Sequence, residues 1–331
     1  MAFNGDALRE LAVQFLALAE KQGATVPLMI GHRLIGLSLL HTGDIAEGRA
    51  HLDQAIALYD PAEHRPLATR FGQDVRVAAL SWRSTALWLL GYPKAALADA
   101  EYALKDARGI GQAAALMYAL QTSLTQILCG NYPRAEEQSD ELVALADEKG
   151  AAPWKAQGML LRGCVFAVTG KASEAVPTIT SRLTALRSTG STLWMPLRLS
   201  YLGIAYAELH RFDDAWRCIG EAMSAVETTK QTWFEAEVNR IAGEIALKSP
   251  EPDAANAKRY FERALSVARN QQAKSWELRA AMSMARVWRD QGNRDEALNL
   301  LAPVYGWFTE GFDTLDLKEA KALLDELAKP H

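Results

Sequence analysis

"SWELRAAMSMARVWRDQGNRDEALNLL" (Ser275–Leu301) contains no residue set that looks reactive, yet it decides the fold. Gly292 lies seventeen residues into it and Ala297 five beyond that glycine. The same grammar recurs along the chain: an apolar helical pattern ends, a Gly-type turn follows, and a small residue comes five positions later. The turns fall at Gly43, Gly91, Gly130, Gly170, His210 and Gly292, and the small residues at Gly48, Ala96, Ala135, Ala175, Ala215 and Ala297. Steps between the middle turns are 39, 40 and 40 residues. A seventh copy replaces the tight turn with "KSPEPDAANA" and resumes at Ala257. Self-similarity at such a period is the signature of a stacked array, so any function belongs to a surface built by many units.

Each unit reads as two antiparallel helices. Seven positions before the turn stands a further small residue: Gly36, Ser84, Ser123, Gly163, Gly203, Gly243 or Ala285. Glycine inside a helix costs about 1 kcal/mol relative to alanine, so its recurrence calls for close approach of a partner helix. The second helix supplies a small–large–small stripe at i, i+4 and i+7, as in Ala257, Phe261 and Ala264. Asp44 with Glu47 has the spacing of a capping box, and Asn131 with Pro133 that of a helix start. "LRELAVQFLALAEKQGA" (Leu8–Ala24) reads as a second helix without its first, and "TLDLKEAKALLDELAKP" as a final capping helix. The pattern predicts an all-α, right-handed superhelix of about seven helix pairs filling residues 1–331 as one solenoid. Its parts are an N-terminal helix over 1–25, repeats over 26–311 and a cap over 312–331. Folding is expected to be array-like, each unit stabilised chiefly by its neighbours.

This grammar resembles the tetratricopeptide repeat (TPR), most fully at Leu202, Gly203, Tyr206, Ala215 and Ala222. The period is nearer 40 than the usual ~34 residues, which helices longer by about one turn would explain. Longer phrases carry a second resemblance: "RFGQDVRVAALSWRSTALWLLGYPKAAL", "QQAKSWELRAAMSMARVWRDQG" and "LAPVYGWFTEGFDTLDLKEAKALLDEL". They are similar to the C-terminal repeat region of bacterial regulatory proteins that carry an adenylate or guanylate cyclase domain and a predicted ATPase. That likeness implies a recognition arm, because neither a cyclase segment nor a G-x-x-x-x-G-K-[ST] loop is found in the chain.

Composition removes several function classes. The net charge of −4, from 36 basic and 40 acidic residues, gives no basic face for nucleic acid. No apolar run reaches the roughly 20 residues that span a bilayer, and the first residues lack a signal core. Cys129, Cys164 and Cys218 have neither metal nor disulfide spacing, as expected of thiols in a cytoplasmic protein. "GIGQAA" (Gly109–Ala114) matches a dinucleotide fingerprint but follows a helical pattern instead of a strand, so it reads as a turn. The histidines lack ligand spacing, His32 and His41 being nine apart, and no catalytic constellation, metal site or cofactor is expected. Trp154, Trp194, Trp233 and Trp276 recur at the starts of first helices, as inter-repeat packing or as a stacking surface.

First-helix residues line the concave face of a TPR superhelix, as the resemblance implies. Carried over by position, the middle copies offer an apolar stretch of Leu124, Ile127, Leu160 and Ile204. The last copies offer Arg240, Glu244, Arg279, Arg286 and Arg289. Arginines in such a cluster suit carboxylates, because the guanidinium presents a planar fork of donors. The expectation is a groove that takes a protein or peptide segment, or a small effector, and clamps an acidic or C-terminal carboxylate. Competing with it is a purely structural role, each arginine tied to a neighbouring carboxylate such as Glu244 or Asp290. Two functional readings follow: a non-enzymatic arm regulating an attached ATPase or cyclase, or a free-standing adaptor.

Overall fold

The computed structural model describes residues 3–188 and 190–329. Among them there is no strand. The chain opens with α1 (Gly5–Gln22), α2 (Thr25–His41) and α3 (Ile45–Ala57), then the short α4 (Pro61–His64) and α5 (Ala68–Phe71) around a 3-10 turn. It continues with α6 (Val75–Leu89), α7 (Pro93–Ile110), α8 (Ala113–Leu120), α9 (Ser123–Leu128) and α10 (Tyr132–Glu148). Next come α11 (Ala152–Val168), α12 (Ala172–Ser188), α13 (Met195–Glu208) and α14 (Phe212–Thr229). The last are α15 (Glu235–Lys248), α16 (Ala254–Asn270), α17 (Lys274–Asp290), α18 (Arg294–Tyr305) and α19 (Leu315–Leu327). Seven antiparallel pairs, 2–3, 6–7, 8/9–10, 11–12, 13–14, 15–16 and 17–18, wind into a right-handed TPR-like superhelix. "GIGQAA" forms the turn from α7 to α8, with Gly111 left-handed at φ 74°.

Close helix approach explains the recurrent small residues. A Cβ on Gly36 would meet the Gly48 carbonyl oxygen at 2.8 Å, and one on Gly48 the Gly36 oxygen at 2.8 Å, so two backbones touch directly. At Gly163 and Gly243 the obstacle is the central large residue of the partner, Ile179 at 2.7 Å and Phe261 at 2.4 Å. At Ser84, where serine replaces glycine, the space is used for polar contact: Ser84 Oγ lies 2.8 Å from Thr125 Oγ1. The third repeat departs from the pattern, since its first helix is broken into α8 and α9. The Thr122 hydroxyl donates to Ala119 O at 2.7 Å, competing with the helical ladder in the polar run Gln121–Thr122–Ser123. Capping also differs from expectation. Asn131 and Pro133 do open α10, the proline in its first turn, but neither Asp44 nor Asn131 makes a side-chain cap; Asp44 instead pairs with Arg9 at 2.6 Å. The side chains that do cap helices are Asn4, Asp60, Asp74 and Asp253.

The superhelix closes on itself after one turn, which the repeat pattern did not announce. Phe3 N–H donates to Thr192 Oγ1 at a separation of 189 residues, and Ser275 Oγ to Trp88 O at 187. Turns of the first three pairs thus rest on the helix starts of the last ones. His41 stands at this seam: its carbonyl accepts from the amides of Thr232 (3.0 Å) and Trp233 (3.3 Å). Its ring is buried, with Nδ1 donating to Leu37 O (2.8 Å) and Nε2 accepting from the Trp194 indole (2.9 Å). Glu310 accepts from Ala95 N–H at 2.9 Å and so caps α7 from the opposite winding. Three of the four regularly spaced tryptophans belong here, while Trp154 packs edge to face on Tyr118 of the preceding repeat. Trp194 meets Trp82 and Trp276 meets Trp88, edge to face at 5.4 and 4.6 Å, while Trp276 Nε1 donates to Trp233 O. Trp194, Trp233 and Trp276 are buried, so their periodicity is packing.

The seam divides the turn glycines into two kinds. Gly43, Gly91, Gly130, Gly170 and Gly292 all have φ between 75° and 89°. A Cβ on Gly91 would lie 2.5 Å from Trp307, and one on Gly130 2.4 Å from Leu315. Around Gly170 and Gly292 nothing lies within 4 Å. The fifth turn dispenses with glycine altogether, His210 taking φ 56°.

Two outcomes are expected. Alanine at Gly170 or Gly292 should cost about 1–2 kcal/mol for the left-handed backbone. Alanine at Gly91 or Gly130 should cost a further ~1–3 kcal/mol of overpacking, and equal losses in urea unfolding would remove the seam from the account. Burial pulls the His41 pKa from the ordinary 6.5 to about 4, the bond to Leu37 O only partly opposing it. The unfolded chain therefore takes up this proton first as pH falls. Stability associated with His41 is complete above about pH 6.5 and is lost toward pH 4, by roughly 3 kcal/mol in all. A His41→Gln variant, weaker at neutral pH, should show a flatter stability profile across that window.

Candidate functional site

The inner faces of the first helices and the cap α19 enclose two adjoining cavities of about 160 and 520 Å³. Both are lined by Val168, Ile204, Arg240, Arg286 and Glu319, so they form one luminal space. Ile127, Tyr132 and Tyr201 close the smaller end, and Ala207, Ile241 and Ile245 floor the larger. Apolar and charged side chains thus share the lining, Arg240 and Glu244 standing next to Ile241 and Ile245 on α15. The charged ones form ion pairs: Arg240–Glu237 (2.7 Å), Arg240–Glu244 (3.4 Å), Arg286–Glu319 (2.8 Å) and Lys248–Glu208.

Arg279 is the most heavily engaged side chain. Its guanidinium donates to Asp316 (2.8 Å), Glu237 (3.2 Å) and the Leu128 carbonyl (2.8 Å), and stacks between the rings of Trp88 (5.0 Å) and Trp276 (5.3 Å). One residue of α17 therefore ties together α6, α9, α15 and α19. Burial opposes its charge, but Asp316 and Glu237 more than offset that and raise its pKa. The two carboxylates shift in opposite directions. Burial alone would raise Glu237, yet Arg240 and Arg279 together hold it below the ordinary carboxylate range. Burial prevails at Asp316, which leans chiefly on Arg279, and its pKa rises.

The sequence-predicted groove residues separate into three groups. Ile127, Ile204, Arg240, Glu244, Arg279 and Arg286 face the luminal space. Leu124 and Leu160 do not: each is 2% exposed and packed in the core, because these first helices turn those positions toward their neighbours. Arg289 lies outside, bound to Asp290 and Glu326. Every predicted arginine already has a carboxylate partner, as the structural alternative required. Asp316 and Glu319 were missed, since nothing in the α19 sequence shows that the cap swings over the lumen. His32 and His51 meet Nδ1 to Nδ1 at 2.9 Å, a contact between α2 and α3 that linear spacing concealed. Among the described residues no group of three or more His, Cys, Asp or Glu could hold a metal ion. The three cysteines are free and buried, and burial pushes the Cys164 thiol up to about 12.

Fold and lumen define a helical-repeat protein of the TPR-like superhelical class. Neither a protein-family model nor a curated protein sequence matches the chain. Solved structures do. The apo form of RapI is 12% identical with a TM-score of 0.54, over 90% of this chain and 99% of that one. A Rap protein complexed with Competence and Sporulation Factor is 13% identical, TM-score 0.50, over 78% and 74%. A tetratricopeptide repeat protein from Parabacteroides merdae is 13% identical, TM-score 0.48, over 89% and 96%. At such identities the first two share the fold. No described helix is long and apolar enough to cross a membrane.

Arg279→Ala should cost about 3–5 kcal/mol, because Glu237 and Asp316 would be left buried beside a vacated cation site. Arg286→Ala and Arg289→Ala remove half-exposed pairs and should cost less than about 1 kcal/mol. Chemical denaturation of the three variants checks the ranking.

Proposed function

We infer that the chain is a non-catalytic recognition module that takes a linear peptide segment of a partner protein into its lumen. The observation that carries this is the mixed lining: the apolar side chains of Ile127, Val168, Ile204, Ile241 and Ile245 beside a row of compensated charges. Apolar side chains of a segment would lie on the isoleucines while its charged end meets the ion pairs. Arg286 is the arginine that can change partners. Its bond to Glu319 is half-exposed, with side chains 39% and 44% accessible, so a terminal carboxylate can replace Glu319 at low cost. Arg240 and Glu244 frame that position, and Arg279 holds the ion pairs in place. A Rap protein of this fold was solved with Competence and Sporulation Factor, which supports a binding role for the superhelix.

The phrases shared with cyclase–ATPase regulatory proteins favour a cytoplasmic, bacterial signalling arm whose occupancy regulates an attached enzyme. A free-standing adaptor is the second reading.

Selecting a displayed library of random linear peptides against the purified chain tests the luminal site. Bound peptides should lose about tenfold in affinity or more on Arg286→Ala, and likewise when Ile204→Trp fills the floor. Their affinity should also fall as salt rises, the half-exposed pair being screened over ~10 Å at 0.1 M. Absence of selected peptides, or binding indifferent to both variants, would refute the proposal.

A further inference from the structure

α1 carries an apolar stripe that the described chain leaves largely open, with Leu8 half-buried at its start. Several second helices can be counted back from a left-handed residue that follows them, among them Gly111, Lys230 and Gln272, as α1 can from Gly23. Positions eight and fifteen residues earlier are Ala96 and Ala103 in α7, Ala215 and Ala222 in α14, and Ala257 and Ala264 in α16. All six are fully buried. In α1 the same positions hold Leu8 and Phe15, and Phe15 is 37% exposed. Beside them Leu11 and Leu18 are 64% and 60% exposed. Large residues thus stand on this face of α1 where those three second helices carry alanine.

Leu8, Leu11, Phe15 and Leu18 are spaced three, four and three apart, the seam of a coiled coil. The stripe is also rigidly presented. Ala12, Leu16 and Ala19 bury the adjacent side of α1, about a quarter turn away, Arg9 bonds Asp44, and Phe3 N–H is fixed to Thr192. Run antiparallel against itself, the seam is self-complementary: Leu8 meets Leu18 and Leu11 meets Phe15. The open flank of Ala7, Gln14 and Lys21 then sets Gln14 against its own copy and Lys21 against Ala7, so no like charges meet.

We propose that this stripe is a homodimer interface, the α1 helices of two copies pairing antiparallel about a two-fold axis beside Gln14. It is independent of the luminal site. A single helix face buries less than the roughly 800 Å² per partner of a standard interface, so the association is weak and concentration-dependent.

Sedimentation equilibrium of the full chain from micromolar to near-millimolar concentration should show a monomer–dimer equilibrium. Leu11→Glu, at an exposed position that leaves the fold intact by circular dichroism, should raise the dissociation constant more than about tenfold. Under mild oxidation Gln14→Cys should form a disulfide-linked dimer, whereas Tyr102→Cys, equally exposed on α7, should not. A chain monomeric throughout the range, or an association that persists in Leu11→Glu, overturns the proposal. So does a Gln14→Cys variant that crosslinks no faster than Tyr102→Cys.

Discussion

The structure depends on the meeting of its first and second superhelical windings around Arg279. A guanidinium removed from water is costly, and several kcal/mol of desolvation have to be offset by geometry. Here two carboxylates, one backbone carbonyl and two indole faces provide it. Both carboxylates belong to the late winding, but the Leu128 carbonyl and the Trp88 ring come from the early one, so the shell around the charge is complete only when the superhelix is closed. The aromatic contacts along the seam add area, but they are non-directional by comparison. Arg279 specifies which residues face each other.

Closure also shapes the lumen. With α19 drawn in by Asp316, the concave face becomes a lined space instead of an open groove. Glu319 then reaches Arg286 as a consequence of the same placement. The charges in the lining balance one another, so the site has no strong net field. Such a lining discriminates by position and by exchange of partners more than by long-range attraction, and weak exposed pairs suit exchange.

Repeat architecture was legible in the sequence because its determinants are local. Gly36, Gly163 and Gly243 recur at fixed distances from a turn, and the helix they approach is the next one in the chain. The seam was illegible for the opposite reason. His41, Trp88 and Gly91 meet residues more than 150 positions away, and no periodicity encodes the pitch that brings them there. The turn glycines show both cases at once, since all report a left-handed backbone while only three also report a neighbouring winding. The candidate site was half visible. Arg240, Arg279 and Arg286 were found by face, whereas their acidic partners in α19 were not. Leu124 and Leu160 were misplaced because the break between α8 and α9 and the packing of α11 rotate those positions into the core.

Helical solenoids ordinarily unfold piecemeal, since each unit feels only the next and the ends can fray. Hydrogen bonds that join residues 187 and 189 apart turn this chain into a closed loop of dependencies. Loss of the last helices strips Leu128, Trp88 and Ala95 of their partners, so the departure of the late repeats destabilises the early ones. The chain therefore combines the short-range contacts of an array with a few of high sequence separation, which must await loop closure and slow the final step of folding. What the seam confers is cooperativity: a repeat protein that melts as a single body.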